Sequence, residues 1–194
     1  MVEATLSYLG VRGEADAETL RLVLDCLEEL KKETTPKHVL RYFKPNEADG
    51  LLCGEDIRKH LSDAREIVCL AATLGIEADR LIKKYQVTDM ARAATLDAAA
   101  AAYIEAYCDG ISFEREGLFP TMRFSPGYGD YPLSMQPQIL KAVRAEKIGI
   151  SALQSLMLVP TKSVTALLGL CATPVCTVQK CARCDKKDCT YKRR

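Results

Sequence analysis

The chain has 194 residues, 48% of them apolar, and a net charge of +1, enough for one domain with a sizeable core plus an appendage. No apolar run approaches the roughly 20 residues that span a bilayer, and Met1-Val2-Glu3-Ala4-Thr5-Leu6-Ser7-Tyr8 lacks the basic-then-apolar order of a secretory leader. These features argue against membrane insertion or export and predict a cytoplasmic protein, whose nine cysteines act as core residues, reactive thiols or metal ligands rather than a disulfide framework.

The first predicted element is a helix from Asp16 to about Glu33. Leu20, Val23, Leu24, Leu27 and Leu30 recur at helical spacing behind an Asp16 N-cap. Thr34-Thr35-Pro36 ends it, and His38–Phe43 is a β-rich run closed by Pro45 and Asp49-Gly50. Gly54–Leu61 reads as a short helix on which His60 is a surface or capping histidine. Glu66–Gly75 is a continuous apolar run stopped by glycine, the pattern of a buried strand in the middle of a sheet. Cys69 within it is expected to be a small core hydrophobe.

Ile76–Tyr85 resumes helical spacing. Thr88–Asp109 is a second, alanine-rich helix with Gly110 as its C-cap, and its small side chains let neighbouring backbones come close. Asp97, Ala101 and Glu105 fall on one stripe at four-residue intervals. Asp97 fits a solvated acidic face. Glu105 is flanked by Tyr103, Ile104 and Tyr107, which places it on a rim.

Phe119–Pro132 contains three prolines and two glycines. Each proline lacks an N–H and holds its predecessor extended, so a regular helix is ruled out and a rigid loop is expected. Pro126-Gly127 marks a turn, and glycine there permits a positive φ or close backbone approach to a ligand. Such a loop, carrying Arg123 and Tyr128, is a plausible ligand clamp or a connection whose tyrosines cover the core.

Ser134–Arg144 reads as a helix with Pro137 in its first turn. Ser155–Pro160 and Ser163–Leu168, on either side of Pro160-Thr161-Lys162, look like a β-hairpin. Strands that do not alternate regularly with helices favour α+β over a doubly wound sheet.

The C-terminus is chemically distinct. Cys176-x4-Cys181-x2-Cys184-x4-Cys189 brings four thiols into a short span that can close around a tetrahedral zinc or an iron–sulfur cluster, or remain a flexible thiol-bearing tail. Seven basic residues against Asp185 and Asp188 give residues 180–194 a charge of +5, which leaves the body at −4. Nearby cations lower thiol pKa, favouring metal binding and redox reactivity alike. The division is therefore a body, 1–170, and a basic Cys-rich tail, 171–194. The tail could steer an acidic partner, but with Tyr191 its only aromatic residue it does not read as a nucleic-acid site.

Arg123-x-x-x-Gly127-Tyr128, preceded by Ile104-Glu105-Ala106-Tyr107-Cys108-Asp109 and followed by Pro160-x-x-Ser163-Val164-Thr165, resembles the activation domain of cobalamin-dependent methionine synthase. Ala71-Ala72-Thr73-Leu74-Gly75, Gln86-x-Thr88-Asp89-Met90 and Gly127-Tyr128-Gly129-Asp130 are more similar still to small free-standing relatives of that domain. The likeness spans residues 35–170.

The resemblance implies an α+β fold with a bent, mostly antiparallel sheet and flanking helices. It also implies S-adenosylmethionine as ligand and methyl transfer to a cobalamin carried by a methionine synthase or other corrinoid protein, with an electron-donor protein as a further partner. Arg123 would bind the ligand's α-carboxylate or position backbone groups, and Glu105 would attract its α-ammonium. Gly127 would admit the backbone and Tyr128 would face the corrin. No residue is implied as a general acid or base. The family's acidic contributor near the domain start has no counterpart here, and Val164 leads into Ala166-Leu167-Leu168-Gly169-Leu170-Cys171 without a tyrosine. The alternative reading is non-enzymatic: an iron–sulfur or zinc module whose tail serves docking or electron transfer. A methyltransferase with a small acceptor is a third.

Overall fold

A strand that is apolar on both faces must be covered on both, and Glu66–Thr73 sets the architecture for that reason. In the computed structural model, which describes residues 1–113 and 115–173, six strands form among the described residues: β1 (Lys37–Phe43), β2 (Glu66–Thr73), β3 (Phe119–Pro120), β4 (Ser151–Ala152), β5 (Leu158–Val159) and β6 (Ser163–Cys171). One sheet has the order β1-β2-β6-β3, and β4 pairs with β5 in a separate ribbon. All these pairings are antiparallel. The helices are α1 (Val2–Tyr8), α2 (Ala17–Glu33), α3 (Glu55–His60), α4 (Ile76–Thr88), α5 (Met90–Asp109) and α6 (Gln136–Val143). The fold is α+β, a mostly antiparallel sheet flanked by helices, as the sequence leads one to expect.

Side chains alternate along β2. Ile67, Cys69 and Ala71 enter a core with Ile57 of α3, Ile139 and Leu140 of α6, and Tyr131. Leu70 and Ala72 enter another with Val23, Leu27 and Leu30 of α2, Leu81 and Ile82 of α4, and Leu96 and Ala99 of α5. Each fully buried Leu or Ile contributes about 1.5–3 kcal/mol, so both layers depend on this strand. Cys69 is wholly buried, and burial pushes its thiol up to about 12, the behaviour of an inert core residue.

Asp16 is the N-cap expected from the sequence, its Oδ1 accepting from the Thr19 N–H (2.8 Å). Asp89, expected inside the alanine-rich helix, is instead its N-cap, with Oδ1 accepting from the Arg92 N–H (3.0 Å). Thr88 closes α4 instead of opening α5. Alanines at 98, 99, 100 and 102 are all buried, so α5 is enclosed on most sides and packs on α1, α2 and α4. Helix α1 has no counterpart among the sequence-predicted elements. It is only seven residues long and has no side-chain cap; Val2, Leu6 and Leu9 dock it on the α5 core.

The expected hairpin around Pro160-Thr161-Lys162 does not form. Leu158–Val159 pairs with Ala152–Ser151, and Ser163–Leu170 pairs residue for residue with Thr73–Glu66. Eight β2 residues give β6 a long apolar partner that a short local turn could not supply. The connecting residues are engaged elsewhere: the Thr161 N–H and hydroxyl donate to Asp79 of α4, and the Leu74 N–H donates to Lys162 O (3.0 Å). The predicted metal ligands Cys176, Cys181, Cys184 and Cys189 lie outside the described residues.

Candidate functional site

Half of the expected clamp loop is an edge strand in practice. The Thr121 N–H donates to Gly169 O (2.8 Å), Gly169 N–H to Thr121 Oγ1 (2.9 Å), and Phe124 exchanges both backbone bonds with Leu167 (2.8 and 2.9 Å). Residues 119–124 thus run antiparallel beside β6 with Pro120 on the open edge, where a missing N–H breaks no ladder. Pairing along an edge is set by a distant strand, so local composition shows only the prolines.

The pleat then separates neighbouring side chains. Phe124 packs with the α3–α6 core, its ring 5.2 Å from His60 and 6.2 Å from Tyr131. Arg123 points the other way, to the C-terminal end of α5. Its Nη2 donates to Glu105 Oε2 and its Nη1 to Asp109 Oδ1, each at 2.6 Å. The Arg123 side chain is 13% exposed, that of Glu105 40% and that of Asp109 72%. Burial opposes the Arg123 charge, but the Asp109 hydrogen bond and the two carboxylate charges outweigh it, so its pKa lies above the ordinary arginine value. Between the carboxylates sits Cys108, whose thiol burial pushes up to about 12.

Gly127 and Tyr128 occupy the turn that follows. The Tyr128 N–H donates to Ser125 O (3.0 Å) and Gly127 N–H to Tyr131 O (2.8 Å). Gly127 has φ +93°, a conformation L side chains rarely adopt, and nothing within 4 Å of where a Cβ would be. Tyr128 is 40% exposed, its ring centre 5.9 Å from that of Phe124 in an edge-on arrangement. Asp130 ties the turn to α3: the N–H groups of Glu55 and Asp56 donate to its carboxylate (2.6 and 3.1 Å), and its own N–H donates to Asp56 (3.1 Å). His60 Nε2 reaches Met122 O (2.8 Å), so this histidine joins α3 to the edge strand. The Tyr131 hydroxyl donates to Leu51 O (2.8 Å) from a buried position, and burial raises its pKa.

Of the sequence-predicted site residues, Arg123 and Glu105 are brought together, with Gly127 and Tyr128 on the adjoining turn. Asp109 was missed as a site residue, although it continues the four-residue spacing of Asp97, Ala101 and Glu105. Asp97 is exposed, as a solvated acidic face requires, and also pairs with Lys162 (2.9 Å). A cavity of about 530 Å³ opens between α1, α4 and α5, lined by Tyr8, Leu9, Gln86, Met90 and Asp97 among others. It ends at Ala101, one helical turn before Glu105, and Arg123 does not line it. Among the described residues no group of three or more His, Cys, Asp or Glu side chains could hold a metal, and no helix is long and apolar enough to cross a membrane.

No family model and no curated protein matches the sequence. The fold is similar to a solved structure described as the MetH reactivation domain bound to AdoHcy, with a TM-score of 0.55 and 16% identity over 87% of this chain and 75% of that one. At that identity the likeness is one of fold, and it agrees with the fold that the Arg123-x-x-x-Gly127-Tyr128 resemblance implies.

Proposed function

We propose that this chain binds S-adenosylmethionine at the Arg123–Glu105 pair and acts in trans to remethylate a cobalamin carried by a methionine synthase or another corrinoid protein. The observation that carries this reading is the meeting of a partly buried arginine and a half-exposed carboxylate, from an edge strand and a separate helix, beside a glycine turn. The similar fold belongs to a domain described with AdoHcy, the demethylated form of the same ligand.

The ligand's amino-acid end is a zwitterion, and this pair offers one group of each sign. Arg123 presents a planar fork suited to a carboxylate. Glu105 offers a negative charge to the α-ammonium, an attraction strengthened where water is partly excluded. Gly127 leaves room for the ligand to approach backbone N–H and C=O groups, and the exposed ring of Tyr128 offers an apolar face to a flat macrocycle. The partner's cobalt would supply the nucleophile. Methyl transfer from a sulfonium moves no proton, so alignment and a reachable methyl group are what this chain's residues contribute.

Calorimetry of S-adenosylmethionine against wild type and Arg123→Ala tests the reading. Saturable binding by wild type, weakened at least about tenfold in the variant, is expected for loss of a charge-assisted pair. A folded wild-type protein that takes up no ligand would refute it.

A further inference from the structure

Both Nη atoms of Arg123 are engaged within the chain, each holding a carboxylate at 2.6 Å. The two partners differ in how easily they can leave. Asp109 is 72% exposed against 40% for Glu105, so moving its carboxylate into water changes its solvation little. Asp109 is also the last residue of α5, where the peptide dipoles end negative and a carboxylate is disfavoured. Glu105, four residues earlier, adds a like charge on the same side. The bond to Arg123 offsets both repulsions.

We infer that Asp109 is an internal competitor for the carboxylate position on Arg123, exchanged for the ligand's α-carboxylate on binding while Glu105 keeps its place for the ammonium. This rests on the reading that Arg123 receives that carboxylate. One N–H···carboxylate bond breaks and one forms, with Asp109 released to solvent. The cost of the exchange falls only on a ligand that carries a carboxylate: a molecule with the adenosyl thioether but no carboxylate has nothing to offer Arg123 and leaves Asp109 in place. Asp109 thus sets the affinity for the amino-acid end of the ligand, lowering it relative to a chain without the competing carboxylate.

The test is calorimetry of the full chain with AdoHcy and with 5′-methylthioadenosine, which lacks the amino-acid end, on wild type, Asp109→Asn and Arg123→Ala. Asp109→Asn is expected to bind AdoHcy about three- to tenfold more tightly, the scale of an exposed ion pair, with its affinity for 5′-methylthioadenosine unchanged; Arg123→Ala is expected to bind AdoHcy more weakly than wild type. If Asp109→Asn gains nothing for AdoHcy, or gains equally for both compounds, while Arg123→Ala still weakens AdoHcy, the competitor role is wrong and the binding site stands. If neither wild type nor Asp109→Asn binds AdoHcy, the site itself is wrong and the inference goes with it. A thermal melt checks the fold of Asp109→Asn, and Asp109→Ser carries the same expectation should that variant not fold.

Discussion

Asp130 shows how a single side chain in the glycine turn holds a different element in place. Its carboxylate accepts the first two N–H groups of α3, and Asp56 of α3 accepts the Asp130 N–H in return. This is the work of an N-cap, done by a residue more than 70 positions away along the chain. Asp130→Ala should lower unfolding stability by about 0.5–2 kcal/mol, the usual value of a cap, read as a lower denaturant midpoint with an unchanged m-value; no change would show that water replaces the carboxylate at no cost. Such contacts explain what the sequence hides. Glu105 and Arg123 could be singled out from a helical stripe and a proline-rich segment, because periodicity and composition are local. The Asp130 cap and the Asp109 bond to Arg123 join positions with no common period, so no local pattern announces them.

Among the elements, α2, α4 and α5 are locked by one partly buried network. Arg92 of α5 donates twice to Glu29 Oε2 of α2 (2.5 and 3.2 Å), the Tyr85 hydroxyl of α4 donates to Glu29 Oε1 (2.9 Å), and the guanidinium lies 4.9 Å from the Tyr85 ring centre. Burial by itself would raise the Glu29 pKa, but the Arg92 and Tyr85 hydrogen bonds outweigh it and hold the carboxyl below its ordinary 4.5. A folded-state pKa lower than the unfolded one stabilises above the unfolded value and ceases to do so as pH falls through the folded value. Glu29→Gln should therefore cost about 1–2 kcal/mol near neutrality and progressively less below about pH 4.5, converging on wild type in strong acid. A parallel offset at every pH would contradict the ionic role. The helices were legible because their apolar spacing and the Asp16 cap are local signals; the Asp89 cap was not read, since the expected helix began one residue before it. The hairpin was misread for the opposite reason: Ser155–Pro160 and Ser163–Leu168 look alike in composition, but their partners, β4 and β2, are chosen by long-range burial.

On the scale of the whole molecule, the sheet divides the protein into two cores, and residues 119–124 run along its edge where side chains reach both. Alternation sends Phe124 to the α3–α6 side and Arg123 to α5, so the fold itself brings a cation on one segment to two anions on another. The α+β class was readable from the order of elements. The open cavity between α1, α4 and α5 was not, because α1 is too short to announce itself. That cavity supplies the sharpest contrast for the proposed site, since a ligand guided by cavity volume would settle there and one guided by charge would settle at Arg123. The decisive measurement is a crystal structure of the protein with AdoHcy bound. The ligand's carboxylate is expected within hydrogen-bond reach of the Arg123 guanidinium and its ammonium beside Glu105; AdoHcy seated among Tyr8, Gln86 and Asp97, with the Arg123–Glu105 pair undisturbed, would contradict the proposed site.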